Sequence, residues 1–149
     1  MKILIDGDGC PVVDLTIKVA NMLGIKTIIM CDTSHIINKD NVETVVVSKG
    51  VDSVDFAIVN KVHKGDIVVT QDYGLAAMVL SKGGYPINQN GIIYNNENID
   101  RLLFTRHVSK KIRKSGGKIK GSKKRQKQDN IKFEESLTYL YNEIIKEKL

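Results

Sequence analysis

Short apolar runs bounded by turn residues alternate along this chain with longer stretches in which apolar positions recur every three or four residues. The first run, Lys2 to Ile5, reads as a buried strand, and it closes on Asp6-Gly7-Asp8-Gly9. Pro11 is placed to open a helix carrying Val12, Val13, Leu15, Ile17, Val19, Ala20, Met22 and Leu23 until Gly24 stops it. Lys26 to Cys31 and Val42 to Val47 predict two more strands, with a loop over Asp32 to Asn41 between them. A helix over Ser53 to Val62 ends near Gly65, and Ile67 to Thr70 forms a buried strand finishing in Thr70-Gln71-Asp72, which repeats the opening pattern. Leu75, Ala76, Ala77, Val79 and Leu80 predict a helix stopped by Gly83-Gly84; Tyr85 to Asn88 reads as a short strand and Gly91 to Tyr94 as a sheet edge. Asn98 is expected to cap a helix running to about Lys114. Phe133, Leu137, Leu140, Tyr141, Ile144 and Ile145 then lie on one face of a last helix over about 130–148, suited to covering the sheet.

Strand and helix in alternation imply an α/β fold, with a mainly parallel central sheet and helices on both faces. A length of 149 residues with 42% hydrophobic content suits one domain over 1–149. No apolar run approaches the ~18 residues that cross a bilayer, and the chain does not start as a signal peptide does, so a cytoplasmic protein with no membrane partner is expected. Cys10 and Cys31 stand at no metal-ligand spacing and are expected as free thiols, Cys10 as a packed one near a helix start. His35, His63 and His107 are isolated, which argues against zinc, and no glycine loop of the GxxxxGK type is present.

The chemistry collects at strand ends. Ligands of parallel sheets bind beyond the carboxyl ends of the strands, and Asp6, Asp8 and Asp72 follow two such ends while Asp52 and Asp55 follow a third. A site of four carboxylates, Asp6, Asp8, Asp55 and Asp72, with Asp52 in support, is therefore expected. Clustered carboxylates repel one another unless a cation compensates, and hard oxygen ligands suit Mg²⁺ or Mn²⁺. Such an ion activates water and stabilises a leaving oxygen, which points to phosphodiester hydrolysis. Asp8, Asp52 and Asp72 are each also explained as helix caps, a reading that leaves out Asp6 and the recurrence of acid at one edge. Asp14, Asp40, Asp66 and Asp100 read as solvated turn or cap residues, and Asp32 as a further candidate.

Charge divides the chain. Up to residue 105 there are nine Lys and Arg against twelve Asp and Glu; beyond it there are fourteen against five, within a net charge of +6. Eleven of these cations fall within residues 106–127, among them Lys120, with Gly116-Gly117 interrupting the run. A flexible basic arm is expected at about 115–129. Arg106, Lys110, Arg113, Lys123, Lys124 and Arg125 are the candidates for contacts with a nucleic-acid backbone, the alternative being a solvated stretch that aids solubility. The arm holds no aromatic residue, so base stacking is not expected there.

Four blocks carry a family resemblance: Asp6-Gly7-Asp8-Gly9-Cys10-Pro11-Val12, Val51-Asp52-Ser53-Val54-Asp55, Gly65 to Asp72 followed by Leu75-Ala76, and Asn98-Ile99 with Arg106 and Arg113. Together they resemble the bacterial YaiI/YqxD family over nearly the whole chain. That family is uncharacterised and is grouped with PIN-like domains, which resemble metal-dependent ribonucleases. The resemblance implies a PIN-like α/β/α sandwich, a metal near Asp6, Asp8, Asp55 and Asp72, and in Thr70 the hydroxyl that PIN-like domains place at the end of that strand. The chain has Gly7, Gly9 and Gln71 where the family pattern has Ala, and lacks a Gly-Pro step near Gly121-Ser122. These departures remove no ligand and are expected to loosen the loop and the arm.

The reading is a Mg²⁺- or Mn²⁺-dependent nuclease acting on RNA, with Asp6, Asp8, Asp55 and Asp72 at the metal and Asp52, Thr70 and Gln71 in support. Two alternatives stand beside it. One is a non-catalytic RNA-binding protein with the same fold. The other is a phosphatase of the haloacid dehalogenase type with Asp6 as nucleophile, Asp8 as acid and Gly65-Asp66 with Asp72 as a later metal motif, disfavoured because such a motif follows its strand whereas Asp66 precedes it, and no Lys is placed to balance the phosphorylated Asp.

Overall fold

A computed structural model describes residues 1–118 and 123–149; Lys120, Gly121 and Ser122 lie outside the described residues. Five strands, β1 Lys2–Asp6, β2 Lys26–Asp32, β3 Glu43–Val47, β4 Ile67–Val69 and β5 Tyr85–Ile87, form one sheet in the order β3-β2-β1-β4-β5. Every neighbouring pair is parallel. The chain steps outward from β1 to β2 and β3, then returns to lay β4 on the other side of β1. The strand order thus reverses between β1 and β4, where the loops leaving the two strands part and open a crevice.

Among the described residues five helices cover the sheet: α1 Val13–Leu23, α2 Ser53–Lys61, α3 Tyr73–Ser81, α4 Asn96–Lys114 and α5 Lys127–Lys148. The period of two along β1 separates the layers. Ile3 and Ile5 face a cluster completed by Val19 and Ala20 of α1 and by Phe133, Leu137, Leu140 and Ile144 of α5. Leu4 faces the opposite cluster, with Ile58 of α2 and Leu75 and Val79 of α3. Burial on both faces is why β1 reads as an unbroken apolar run. α4 packs outside α3 through Ile99, which joins Ala76 and Tyr94, with Leu102 and Leu103 against them. No helix among the described residues is long and apolar enough to cross a membrane.

Element ends differ from the sequence reading where local hydrogen bonds decide them. Pro11 is exposed in a turn and α1 starts after Val12, whose carbonyl accepts from the amide and hydroxyl of Thr16 at 2.9 and 2.7 Å. α4 is capped by Asn95 and not by Asn98. Asn95 Oδ1 accepts from the Asn98 amide at 2.8 Å, and Asn98 Oδ1 accepts from the Asn95 amide at 2.9 Å, a reciprocal box that needs both residues. α5 gains a turn ahead of Asn130 because Asp129 folds back onto the Gln126 amide at 2.8 Å. The expected edge over Gly91 to Tyr94 reduces to one antiparallel bridge between Ile87 and Ile93.

Asp66 is not solvated. It is 3% exposed at the start of β4, where it meets Lys2 Nζ at 2.6 Å and accepts the amides of Lys2 and His63 at 3.1 and 2.8 Å. Burial alone would raise its pKa, but the Lys2 ammonium and the two amides outweigh burial and hold the carboxyl below its ordinary value of 3.8. A depressed carboxylate stabilises the fold above its unfolded pKa, and this stability is lost as pH falls through the folded pKa. Asp66→Asn should therefore flatten the part of the acid-unfolding curve below about pH 4, read as melting temperature against pH; an unchanged acid limb would show that Lys2–Asp66 contributes nothing.

Candidate functional site

The crevice between β1 and β4 is acidic. Their register sets Ile5 opposite Val69, so Asp6 and Thr70 follow side by side. The buried Thr70 hydroxyl donates to Asp6 Oδ2 at 2.8 Å and accepts from the Asp72 amide at 3.0 Å, tying the two strand ends together. Asp72 caps α3, its Oδ1 accepting from the amides of Gly74 and Leu75 at 2.8 and 3.2 Å. Arg106 Nη1 of α4 lies 3.6 Å from the same oxygen. Asp6, Asp8, Asp52, Asp55 and Asp72 all line one cleft of about 810 Å³, together with Asp32, Gln71, Arg106 and Arg113.

The cap reading survives for Asp72 alone of the three carboxylates it was weighed for. Asp52 occupies the N-cap position of α2 but makes no side-chain cap bond; with φ at 59° it sits in the left-handed region, where Asp is among the better-tolerated residues. Asp8 precedes α1 without reaching it, and its Oδ1 lies 3.4 Å from His35 Nδ1. That contact joins the turn after β1 to the loop after β2, a pairing that no local spacing in the sequence signals.

Crowding shows in the protonation of the site. Burial pushes Asp6 up to about 6, opposed by the Thr70 hydrogen bond and reinforced by the charges of Asp72 and Asp8. Asp55 rises to about 7 through burial, then through Asp72, Asp6 and Asp52, and through a hydrogen bond to Asp72 that its protonated form donates. Among the described residues no three His, Cys, Asp or Glu side chains stand close enough to enclose a metal ion by themselves. Cys10, a free thiol, is pushed up chiefly by burial and so is a poor nucleophile; Cys31 is free and buried.

The two glycines of the first turn do different things. Gly9 has φ +66° and open space where a side chain would point, so it suits an approach to the cleft. Gly7 leaves no such room. A Cβ there would meet Ile37 Cδ1, Met30 O and Ile29 Cγ2 at 3.0–3.2 Å, so this residue packs the turn against β2.

The candidate cations separate into two groups. Arg106 and Arg113, two turns apart on α4, reach the acidic cleft, whereas Lys110 is exposed and does not line it. Lys123, Lys124 and Arg125 line a second pocket, of which Gln71 is a shared wall. Arg125 is not part of a loose arm: its guanidinium donates to Asn130 Oδ1, Asn90 Oδ1 and the Gln89 carbonyl at 2.8, 2.9 and 2.9 Å. Asp66, required by the phosphatase reading, lies at the opposite end of β4.

A raised carboxyl pKa favours the fold most below the unfolded pKa, and that benefit is lost as pH rises through the folded value. In chelator, the contribution of Asp6 and Asp55 should thus fall away as pH climbs through about 6 and 7. Asp55→Asn should melt higher than the parent protein in chelator at pH 7.5 and gain less from millimolar Mn²⁺. A variant that melts no higher in chelator would refute repulsion at Asp55.

Comparison with known proteins places the chain. The pattern of the family described as "Uncharacterized BCR, YaiI/YqxD family" matches residues 4–143. A UPF0178 protein of Exiguobacterium sibiricum is 53% identical over 143 residues, covering 96% of this chain and 98% of that protein. A UPF0178 protein of Clostridium acetobutylicum is 48% identical over 136 residues, covering 90% and 92%. The crystal structure of Rae1 (YacP) from Bacillus subtilis aligns over 97% of this chain and 98% of its own, at a TM-score of 0.44 and 16% identity, too distant for anything to be carried over. Matched by the family pattern across nearly its full length, and close to half identical to relatives of the same size, this chain belongs to the YaiI/YqxD family.

Proposed function

We propose that this protein is a Mg²⁺- or Mn²⁺-dependent nuclease that hydrolyses phosphodiester bonds of RNA. The observation that carries the reading is the convergence of Asp6, Asp8, Asp55 and Asp72 on one cleft, where burial and the charges of neighbouring carboxylates drive two of the four carboxyls toward the protonated state. The donor set is all carboxylate oxygen, which suits a hard divalent ion; because no three of these side chains enclose a metal by themselves among the described residues, waters and substrate phosphate would complete its shell. Asp6, Asp8, Asp55 and Asp72 would hold the ion partly through its waters, and when bound it supplies an activated water and stabilisation of the leaving oxygen.

The remaining residues position and screen. Thr70 occupies Asp6 Oδ2 and so fixes the carboxylate plane, while the α3 amides hold Asp72 through Oδ1. Asp52 adds negative charge at the cleft wall, and Gln71 donates to the Gly9 carbonyl at 3.0 Å, bracing the first turn. Arg106 and Arg113 stand over the acids, where backbone phosphates of a bound strand would otherwise be repelled. The choice of RNA follows the resemblance of the family to PIN-like domains.

Incubation of end-labelled single-stranded RNA with Mn²⁺ or with chelator tests the proposal. Cleavage that requires the metal is the expected result. RNA retained in a gel shift but uncut under both conditions would favour the second reading, a non-catalytic RNA-binding protein, which the cations of residues 123–125, in no ion pair among the described residues, also support.

A further inference from the structure

The second pocket, about 560 Å³, adjoins the acidic cleft across Gln71 and is of opposite character. Lys123, Lys124 and Arg125 line it against one carboxylate, Asp129, which is engaged with the Gln126 amide. The acceptors that fix the Arg125 guanidinium, two Asn side chains and a backbone carbonyl, are all neutral. They hold the fork in place without cancelling its charge, and among the described residues neither Arg125 nor Lys123 nor Lys124 forms an ion pair. A fixed, uncompensated guanidinium with two ammonium groups beside it is a phosphate receptor.

A further feature extends the chemistry beyond phosphate. Gln89 lines the same pocket, and its Oε1, turned away from solvent, is a buried acceptor with no partner among the described residues. Buried acceptors are normally satisfied, so a turn of this amide into the pocket, where a ribose hydroxyl or the amino group of a base can donate to it, is favoured over leaving it unpartnered. Asn88 Oδ1 accepts from the amides of Asn90 and Ile92, each at 2.9 Å, and so keeps the turn that carries Gln89 and Asn90 in shape.

We propose that this pocket is a nucleotide subsite. Its phosphate is taken by Arg125, Lys123 and Lys124, its sugar or base meets Gln89, and Gln71 is the wall over which the strand passes to the carboxylates. The proposal rests on the nuclease reading for its place in a strand but not for its chemistry, since the pocket contains none of the acids proposed to hold metal.

The test is titration of the ¹⁵N-labelled full chain with a ribonucleoside 5′-monophosphate, the matching nucleoside and inorganic phosphate, all in chelator so that neither metal nor cleavage intervenes. The monophosphate should shift the side-chain resonances of Gln89, Gln71 and Arg125 and bind at least about tenfold more tightly than either fragment, the equivalent of one charge-assisted contact. Lys123→Ala/Lys124→Ala, which changes exposed side chains, should weaken the monophosphate by about tenfold or more while the rest of the spectrum stays folded. Silent Gln89 and Arg125 resonances, or inorganic phosphate binding as well as the nucleotide, would overturn the proposal. Nucleotide binding here by a protein that never cuts RNA would uphold the subsite and sink the nuclease; cutting with a silent pocket would do the reverse.

Discussion

Asp6→Asn is expected to remove metal-dependent RNA cleavage, lowering kcat/KM by more than the roughly 10- to 100-fold that changes outside a metal's direct ligands produce. The side chain keeps its shape, and its amide oxygen can still accept from Thr70, so the turn after β1 should survive. What disappears is a charge from the centre of the cleft, next to Asp8 and Asp72. Single-turnover cleavage of end-labelled RNA in Mn²⁺ measures the loss, with amide spectra of both proteins as the check on folding. A folded Asp6→Asn that cuts at the parental rate would end the metal-site reading.

Phe133→Ala should cost about 3–5 kcal/mol of stability, the range for emptying a large aromatic side chain from a core. Phe133 is fully buried on α5, in the cluster that also contains Ile3 and Ile5 of β1. Its loss would leave a cavity beneath the strand that carries Asp6, and the melting temperature should drop by roughly 10–15 °C for a chain of this size. Tyr139→Ala serves as the control: the ring is 59% exposed on the same helix, so the change should stay near the ±0.5 kcal/mol of ordinary surface substitutions. Comparable melting for both variants would mean that α5 contributes little to the core, contrary to its burial.

Much of the architecture was legible in the sequence because its cues are local. Apolar runs such as Lys2 to Ile5 and Ile67 to Val69 mark strands whatever their neighbours, and the facing of Phe133, Leu137, Leu140 and Ile144 follows from helical spacing. Helix ends were less legible. Asn95 and Asn98 are the same residue type three positions apart, and either can cap; the reciprocal box assigns them opposite roles only once the helix is formed. Asp66 looked like a turn residue because its partner Lys2 belongs to a strand 64 positions away.

The acids and the cations divide along the same line. That Asp6, Asp8, Asp52, Asp55 and Asp72 share one edge follows from chain direction in a parallel sheet, since residues after every strand emerge on one side; this the amino-acid order determines by itself. Which cations face them does not follow. Arg106, Lys110 and Arg113 share one face of α4 by helical spacing, and only the docking of α4 on α3 decides that this face, through its two arginines, reaches the cleft. Likewise Arg125 reads as one charge in a solvated run until β5 and the turn after it bring Gln89 and Asn90 beneath it. Strand direction and side-chain period are short-range properties of the chain, whereas the pairing of distant charges depends on how helices settle over a finished sheet, and that is decided by packing.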